Sequence, residues 1–142
     1  MDKKGLSRVL GIDYGERRMG LAVSDPLRII AKPFKILDRQ ITSDYFSEIM
    51  NIISQHDINL IVVGLPLTLK GKYSKQTCVV QNFIDQLKQV VNIPVVHIDE
   101  RLSSMAAIRS LQELGIKTGH EKGRIDETAA AIILQEYLDS QS

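Results

Sequence analysis

The stretch RVLGIDYGERRMGLAVSD, residues 8–25, decides the fold. Small and apolar residues run from Val9 to Ile12 into Asp13, and a second apolar run covers Met19–Val23. Two such runs joined by a short glycine-containing turn predict a β-hairpin. Asp13 then lies at the outgoing end of a strand that the rest of the chain buries. A carboxylate there costs free energy unless it is paired, hydrogen-bonded or bound to a cation, so Asp13 is the first candidate functional residue.

Length and composition narrow the class of protein. A chain of 142 residues predicts one domain, residues 1–142, with a core that needs no disulfides. Lys and Arg number 18 against 17 Asp and Glu, so a net charge of +1 favours no class of partner, and polyanion binding would depend on local clusters. The chain has a single cysteine, and no apolar run near residue 1 is long enough for a signal peptide or a membrane span. These features predict a cytoplasmic protein.

Hydrophobic spacing beyond the hairpin predicts alternating helices and strands. A third strand contains Pro33, which suits the edge of a sheet. In chain order the predicted elements are strands at 9–12, 19–23 and 31–37, a helix from Ser43 or Asp44 to His56, a strand at 60–64, a helix from Ser74 to Val91, a strand at 95–98, and helices over about 103–114 and 125–138, with a polar loop at 115–123. The order predicts an α/β fold with a mixed sheet.

Three acidic residues are predicted to meet at one edge of this sheet. If the strands at 9–12, 60–64 and 95–98 are parallel neighbours, right-handed crossovers align their outgoing ends, where ligands of open α/β sheets gather. Asp13 and Glu100 follow two of those strands, and Asp126 in the first turn of the last helix could supply a third carboxylate.

Oxygen ligands suit Mg²⁺, and two such ions about 3.5–4 Å apart can assist phosphodiester hydrolysis. Each acid alone also has a structural explanation, as a turn former, a residue at a helix start or a salt-bridge partner. Their joint placement predicts metal-assisted nucleic-acid cleavage.

Basic residues populate the loops expected at the same edge. On one rim they would bind phosphates, whereas a single lysine in a loop is ordinarily just solvated. Arg18 and Arg101 adjoin acidic motifs, and arginine can pair with phosphate bidentately. The loop lysines include Lys75 and Lys117, with His120 nearby. The predicted nucleic-acid-binding residues are Arg17, Arg18, Lys70, Lys72, Arg101, Lys122 and Arg124.

Two further residues are given structural interpretations. His97 alternates with core residues on a predicted strand, which favours a packed or hydrogen-bonded histidine. Cys78 lies near the start of a helix without any accompanying Cys-His pattern, which favours a small buried residue.

Four ordered stretches, GIDYGERRMGLAVSD, IVVGLPLTLKG, HIDERLSS and KGRIDETAAAIIL, span nearly the whole chain. In these stretches the chain resembles the YqgF family, also called RuvX, of the ribonuclease H-like superfamily. The resemblance implies a five-stranded mixed sheet in the order 3-2-1-4-5 flanked by helices. It also implies a catalytic Mg²⁺ or Mn²⁺ site with Asp13, Glu100 and Asp126 as metal ligands.

Members of that family have been described as nucleases that process the 5′ end of precursor 16S ribosomal RNA and, by likeness to RuvC resolvases, as Holliday junction resolvases. The resemblance implies a metal-dependent nuclease in ribosome biogenesis, with precursor rRNA as substrate and ribosomal particles as a second candidate partner. Branched DNA is the alternative substrate. Ala129 stands where RuvC-like resolvases carry a second helix carboxylate, which weakens the analogy with junction cleavage. The chain also departs from the family pattern at Lys70, where members of the family commonly have an acidic or polar residue.

Other classes of function stay open at this point. One is a non-catalytic RNA- or ribosome-binding module, and another is a lobe of an actin-like nucleotide-binding protein. A junction resolvase works as a symmetric dimer because it cuts two strands related by a two-fold axis. Because the sequence leaves the substrate open, both a monomer and a homodimer are compatible with it.

Overall fold

A computed structural model describes residues 7–67, 70–100 and 122–141, with side chains of the last range described from residue 129 onward. The predicted helix at 103–114 lies outside these ranges, as do Arg101, Lys117 and His120. The described elements are β1 (Arg8–Tyr14), β2 (Arg18–Ser24), β3 (Ala31–Asp38), α1 (Tyr45–Gln55), β4 (Ile58–Leu65), α2 (Lys75–Val90), β5 (Val95–Asp99) and α3 (Lys122–Ser140).

The five strands form one mixed sheet in the order β3-β2-β1-β4-β5. β1 is antiparallel to β2 and parallel to β4, and β4 is parallel to β5. The predicted strand order and the α/β class are therefore confirmed. Pro33 lies in the edge strand β3, next to a register irregularity in its pairing with β2. Because the three parallel strands end at the same edge, the residues that follow them are brought together there.

Helices cover both faces of the sheet. Since successive side chains of a strand point to opposite faces, Leu10 and Ile12 of β1 join the core beneath α1 and α2, together with Phe83. Val9 belongs to a second core beneath α3. The two cores bury β1 and β4 from both sides, which explains why these strands are continuous apolar runs.

α3 approaches β1 closely because small residues meet at the crossing. A Cβ atom built on Gly11 would lie 2.7 Å from Cβ of Leu134 and 3.2 Å from the backbone oxygen of Ala130. Any larger residue at position 11 would push the helix away from the strand. The position of α3 over the sheet therefore depends on this glycine.

The N-caps predicted for the first two helices are confirmed at Asp44 and Ser74. The carboxylate of Asp44 accepts from the backbone N–H of Ser47 and begins α1. Ser74 begins α2 in a capping box, in which the side chains of Ser74 and Thr77 each accept from the other's backbone N–H. Such caps satisfy amide groups that have no partner within the helix.

Several faces and boundaries differ from the prediction. α3 begins at Lys122, so Lys122 and Arg124 are helical rather than in a loop, since one glycine at position 123 is too weak a helix breaker to stop the helix. The most buried residues of α3 include Ala130, Leu134 and Leu138, whereas Ile132 and Tyr137 are only partly buried. Helical spacing predicts a buried face made of Ala129, Ile132, Ile133 and Tyr137; Ala129 and Ile133 are buried as predicted, but the prediction needs correction at the other two positions.

The structural interpretations of Cys78 and His97 are both wrong. Cys78 is exposed, because it lies on the side of α2 that faces away from the sheet. His97 is exposed on the edge strand β5, where it shares a face with the buried Val95 but extends beyond the cover of the core. Helical spacing of the apolar residues in α2 predicts Val79 on the buried stripe too, but Val79 is exposed and the next residue, Val80, is buried.

Candidate active site

Two buried carboxylates stand at the edge where the parallel strands end. Asp13, the penultimate residue of β1, is 7% exposed, and Glu100, directly after β5, is 5% exposed. Alternation along β1 puts Asp13 on the same face as Val9 and Gly11, which is the face covered by α3. Burial of both acids argues against the surface salt-bridge interpretation of Glu100.

Gly64 of β4 lies between these two acids. Ile12 pairs with Val63, so Asp13 and Gly64 follow as the next residues of neighbouring strands, and Gly64 pairs with Ile98 of β5 on its other side. A Cβ atom built on Gly64 would lie 2.6 Å from Oε2 of Glu100 and 2.7 Å from Cδ1 of Ile133. The Glu100 carboxylate therefore lies over the backbone of Gly64, in space that a side chain there would occupy, and on the same face as Asp13.

The third predicted ligand, Asp126, lies in α3, and the direction of that helix follows from its contacts. Gln135 accepts from the backbone N–H of Ala31 and donates to the carbonyl of Ile29, both 2.9 Å, at the end of the sheet where β1 starts. Ala130 lies over Gly11, in the middle of β1. The helix thus runs with its N-terminal part toward the end of β1 that carries Asp13, and residue 126 is one turn before Ala130.

The turn after Asp13 is held by Arg39, which the sequence interpretation did not single out. Its guanidinium donates to the carbonyl oxygens of Gly15 at 2.9 Å and Glu16 at 2.5 Å, and its backbone N–H donates to Arg17 at 2.7 Å. The guanidinium carbon lies 4.5 Å from the ring centroid of Tyr14. These contacts link the end of β3 to the turn that follows the acid. An arginine 26 residues along the chain gives no local signal of such a role.

Tyr14, the residue after Asp13, is part of an aromatic cluster on the opposite face of the sheet. Its ring stacks on Phe83 with centroids 4.1 Å apart. Burial raises the pKa of Tyr14 to about 12, with a hydrogen bond to Tyr45 adding to the shift and the charge of Arg39 opposing it. The Tyr14 hydroxyl therefore stays protonated at neutral pH.

The described basic residues differ in their surroundings. Arg17 lies in the turn after Asp13 with its side chain 54% exposed, and its Nε is 3.4 Å from Oδ2 of Asp38. The pKa of Asp38 is lowered, first by the backbone N–H of Gln40 and further by this guanidinium. Arg18 is partly buried at the start of β2, and Lys70 and Lys72 are exposed in the loop after β4. Lys122 and Arg124 occupy the first turn of α3.

The loop after β4 is fastened to α2 by Thr77, a second residue that the sequence interpretation missed. Thr77 is fully buried, and its hydroxyl donates to the carbonyl of Pro66 and accepts from the backbone N–H of Ser74 at 3.0 Å. Both ends of the segment from Pro66 to Ser74 are therefore held at the N-terminus of α2. The capping-box pattern was the one signal that could have identified Thr77.

The donor set suits a hard divalent cation. Among the side chains that the structure describes, no group of three His, Cys, Asp or Glu residues is arranged to hold a metal ion. Asp13 and Glu100 nevertheless provide carboxylate oxygens, the ligands that Mg²⁺ and Mn²⁺ prefer, and the Glu100 carboxylate occupies the space over Gly64 on the face that also carries Asp13.

The strand order, with acids at the end of β1 and after β5, defines a ribonuclease H-like fold. Two solved structures share it. The first is T. thermophilus RuvC in complex with Holliday junction substrate, with a TM-score of 0.57 and 13% identity over 95% of each chain. The second is the fowlpox virus Holliday junction resolvase, with a TM-score of 0.50 and 14% identity over 95% of this chain and 99% of that one. At such identities the likeness is one of fold.

The chain belongs to the RuvX family. The family model described as "RuvX: Holliday junction resolvase" matches residues 7–140. A relative from Roseiflexus sp. (strain RS-1) is 43% identical over 94% of this chain and 95% of its own length. Another, from Dictyoglomus turgidum, is 40% identical over 95% of this chain and 96% of its own. Both relatives carry the name "Putative pre-16S rRNA nuclease". The family predicted from the four sequence stretches is confirmed.

Within the described ranges, no helix has both the length and the apolar character that crossing a membrane requires.

Proposed function

We propose that this protein is a cytoplasmic, divalent-metal-dependent nuclease that hydrolyses phosphodiester bonds in precursor 16S rRNA during ribosome biogenesis. The observation that carries the proposal is the pair of buried carboxylates, Asp13 and Glu100, placed on either side of Gly64 at the outgoing edge of three parallel strands. Membership of the RuvX family and the nuclease names of its relatives support the same reaction.

Asp13, Glu100 and Asp126 are the proposed ligands of Mg²⁺ or Mn²⁺. When bound, such an ion lowers the pKa of a coordinated water and neutralises charge on the phosphate. The protein's own part is to hold the carboxylates in place. The missing side chain of Gly64 leaves room for Glu100, and Arg39 fixes the turn after Asp13. Because two buried carboxylates repel each other, a cation bound by them would also offset the cost of their burial.

The basic residues predicted from the sequence are proposed to bind the phosphates of the nucleic acid. Arginine and lysine contacts to phosphates provide affinity without reading sequence. Arg17 can exchange its exposed pairing with Asp38 for a phosphate, because a surface ion pair of this kind is worth little. The proposed set comprises Arg17, Arg18, Lys70, Lys72, Arg101, Lys122 and Arg124.

A Holliday junction resolvase is the second candidate, because the family description and the fold neighbours carry that name. One feature favours RNA over junctions. Ala129, three residues after Asp126, is buried against the sheet. The position at which RuvC-like resolvases carry a second helix acid therefore holds a buried alanine in this chain and supplies no carboxylate to the site.

The test is cleavage of a short precursor 16S RNA fragment and of a four-way DNA junction, each with Mg²⁺, Mn²⁺ or EDTA. We expect metal-dependent RNA cleavage by the wild type and none by Asp13→Asn. Asp57→Asn is the matched control: it makes the same chemical change at an exposed residue with φ of 54°, a conformation that asparagine tolerates.

Full activity of a folded Asp13→Asn variant would refute the proposed site. Sedimentation of the protein with the junction tests the substrate. A dimer that cuts junctions and ignores RNA would favour the resolvase, whereas a monomer that cuts only RNA supports the proposal.

A further inference from the structure

Tyr73 is an exposed aromatic residue in the loop between β4, the strand that carries Gly64, and α2. Among the tyrosines and phenylalanines, all of which lie in the described ranges, only Tyr73 and Phe34 have exposed side chains, at 58% and 38%. The other five contribute to the cores or pack against them. Phe34 packs edge-on against His56, with ring centroids 5.0 Å apart.

At the position of Tyr73, the start of the following helix would ordinarily cover the ring. Tyr73 immediately precedes the N-cap Ser74, and an apolar residue there commonly packs against the fourth residue of the helix. That residue is Cys78, which is exposed, as Tyr73 is. Any packing between Tyr73 and Cys78 therefore leaves most of the Tyr73 ring exposed to solvent.

The surroundings of Tyr73 are basic. Lys70, Lys72 and Lys75 are exposed on either side of it, and no acidic residue occurs between Pro66 and Ile84. Gly71, with φ of 79°, adopts the left-handed conformation that lets the chain turn between the first two lysines. An aromatic ring among cations matches a nucleic acid strand, which offers bases for stacking and phosphates for ion pairing.

The two ends of the loop are held together just after the strand that carries Gly64. The hydroxyl of Thr77 fastens Pro66 and Ser74 together at the N-terminus of α2. Pro66 comes two residues after Gly64, over which the Glu100 carboxylate lies. A strand bound along this edge of the sheet would pass from the carboxylates to the loop that carries Tyr73.

We propose that Tyr73 stacks on an unpaired base of the substrate strand and gives the site a preference for single-stranded over fully paired nucleic acid. The proposal rests on the proposed nuclease function and specifies the substrate form. Bases inside a duplex are already stacked on each other and present no free face to a surface residue.

Binding without cleavage tests this role. Labelled single-stranded RNA and the same RNA annealed to its complement are titrated with Asp13→Asn protein that carries Tyr73→Ala, Tyr73→Phe or the matched control Phe34→Ala. Stacking on one aromatic ring is worth about 1–3 kcal/mol, so Tyr73→Ala should weaken single-strand binding by about 5- to 150-fold. We expect Tyr73→Phe and Phe34→Ala to bind nearly as the parent does, and duplex binding to stay unchanged in all variants.

A direct readout uses the absence of tryptophan from the chain. In Tyr73→Trp the single indole should lose fluorescence on adding single-stranded RNA, but not on adding an abasic strand of the same length. Phe34→Trp should respond to neither strand. Equal quenching by the abasic strand, or a Tyr73→Ala variant that binds single strands like its parent, would overturn the stacking role.

Cleavage separates this role from the proposed function. If the wild type and Tyr73→Ala both cleave RNA with metal and bind it equally well, the stacking inference fails and the nuclease function stands. If the wild type neither binds nor cleaves RNA under any metal condition, the nuclease function fails and the stacking role with it.

Discussion

Gly64→Ala is the sharpest test of the candidate site, because one added methyl group enters the space of a proposed metal ligand. The new Cβ would lie 2.6 Å from Oε2 of Glu100 and 2.7 Å from Cδ1 of Ile133. Both distances are about 1 Å shorter than an ordinary contact between heavy atoms. Each neighbour must therefore move by roughly that amount.

The two displacements have different consequences. Both clashing atoms are ends of side chains, so rotation can relieve much of the strain, and we expect a stability loss near the low end of the usual cost of overpacking, about 1 kcal/mol. Activity should fall much further, since a displacement of about 1 Å at a catalytic group can cost about 100-fold in rate. The assay combines thermal unfolding with RNA cleavage as a function of metal concentration.

A double variant separates the packing effect from the catalytic one. Ile133→Val removes Cδ1, the atom that the new methyl group would strike, and leaves Glu100 untouched. Gly64→Ala with Ile133→Val should therefore relieve that clash but remain as inactive as Gly64→Ala alone. If Gly64→Ala retains wild-type cleavage, or if the double variant regains activity, the Glu100 carboxylate does not function where the structure places it.

Two further predictions concern the parts of the fold that support this edge. Arg39→Ala removes the hydrogen bonds to the carbonyls of Gly15 and Glu16, so we expect the free energy of unfolding in urea to fall by about 2–3 kcal/mol. Arg39→Lys should recover little of this loss, because lysine cannot form the same forked pair of hydrogen bonds. Equal stability of Arg39→Ala and wild type would refute this. Asp25 has a lowered pKa, chiefly because its carboxylate accepts from the backbone N–H of Ile30, so its stabilising effect is present above the unfolded-state pKa and lost as the pH falls through the folded-state value. Asp25→Asn should flatten the acid limb of the stability curve, and an unchanged limb would contradict that assignment.

The sequence alone predicted a mixed sheet and the order of elements along the chain, because these depend on local patterns and on general rules of topology, whereas the strand order 3-2-1-4-5 followed from the family resemblance. Alternating and continuous apolar runs indicated the strands, and right-handed crossovers aligned the ends of the parallel ones. Ser43 or Asp44, and Ser74, were predicted as N-caps because capping uses the residue's own side chain on the next turn, and the structure selects Asp44 of the first two. The topology rule also predicted Asp13 and Glu100 as site residues, because the parallel strands that end beside them bring both acids to one edge of the sheet.

Only the tertiary structure decided what each helix buries and what supports the acids. Val79 and Cys78 face solvent because the sheet covers just one stripe of α2, and its rotation is set by packing with residues distant in sequence. The need for glycine at position 64 comes from Glu100 and Ile133, on other elements of the chain. Arg39 reaches the turn after Asp13 only because β3 pairs with β2. Contacts between segments far apart in the chain leave no local pattern, so they are visible only once the fold brings the segments together.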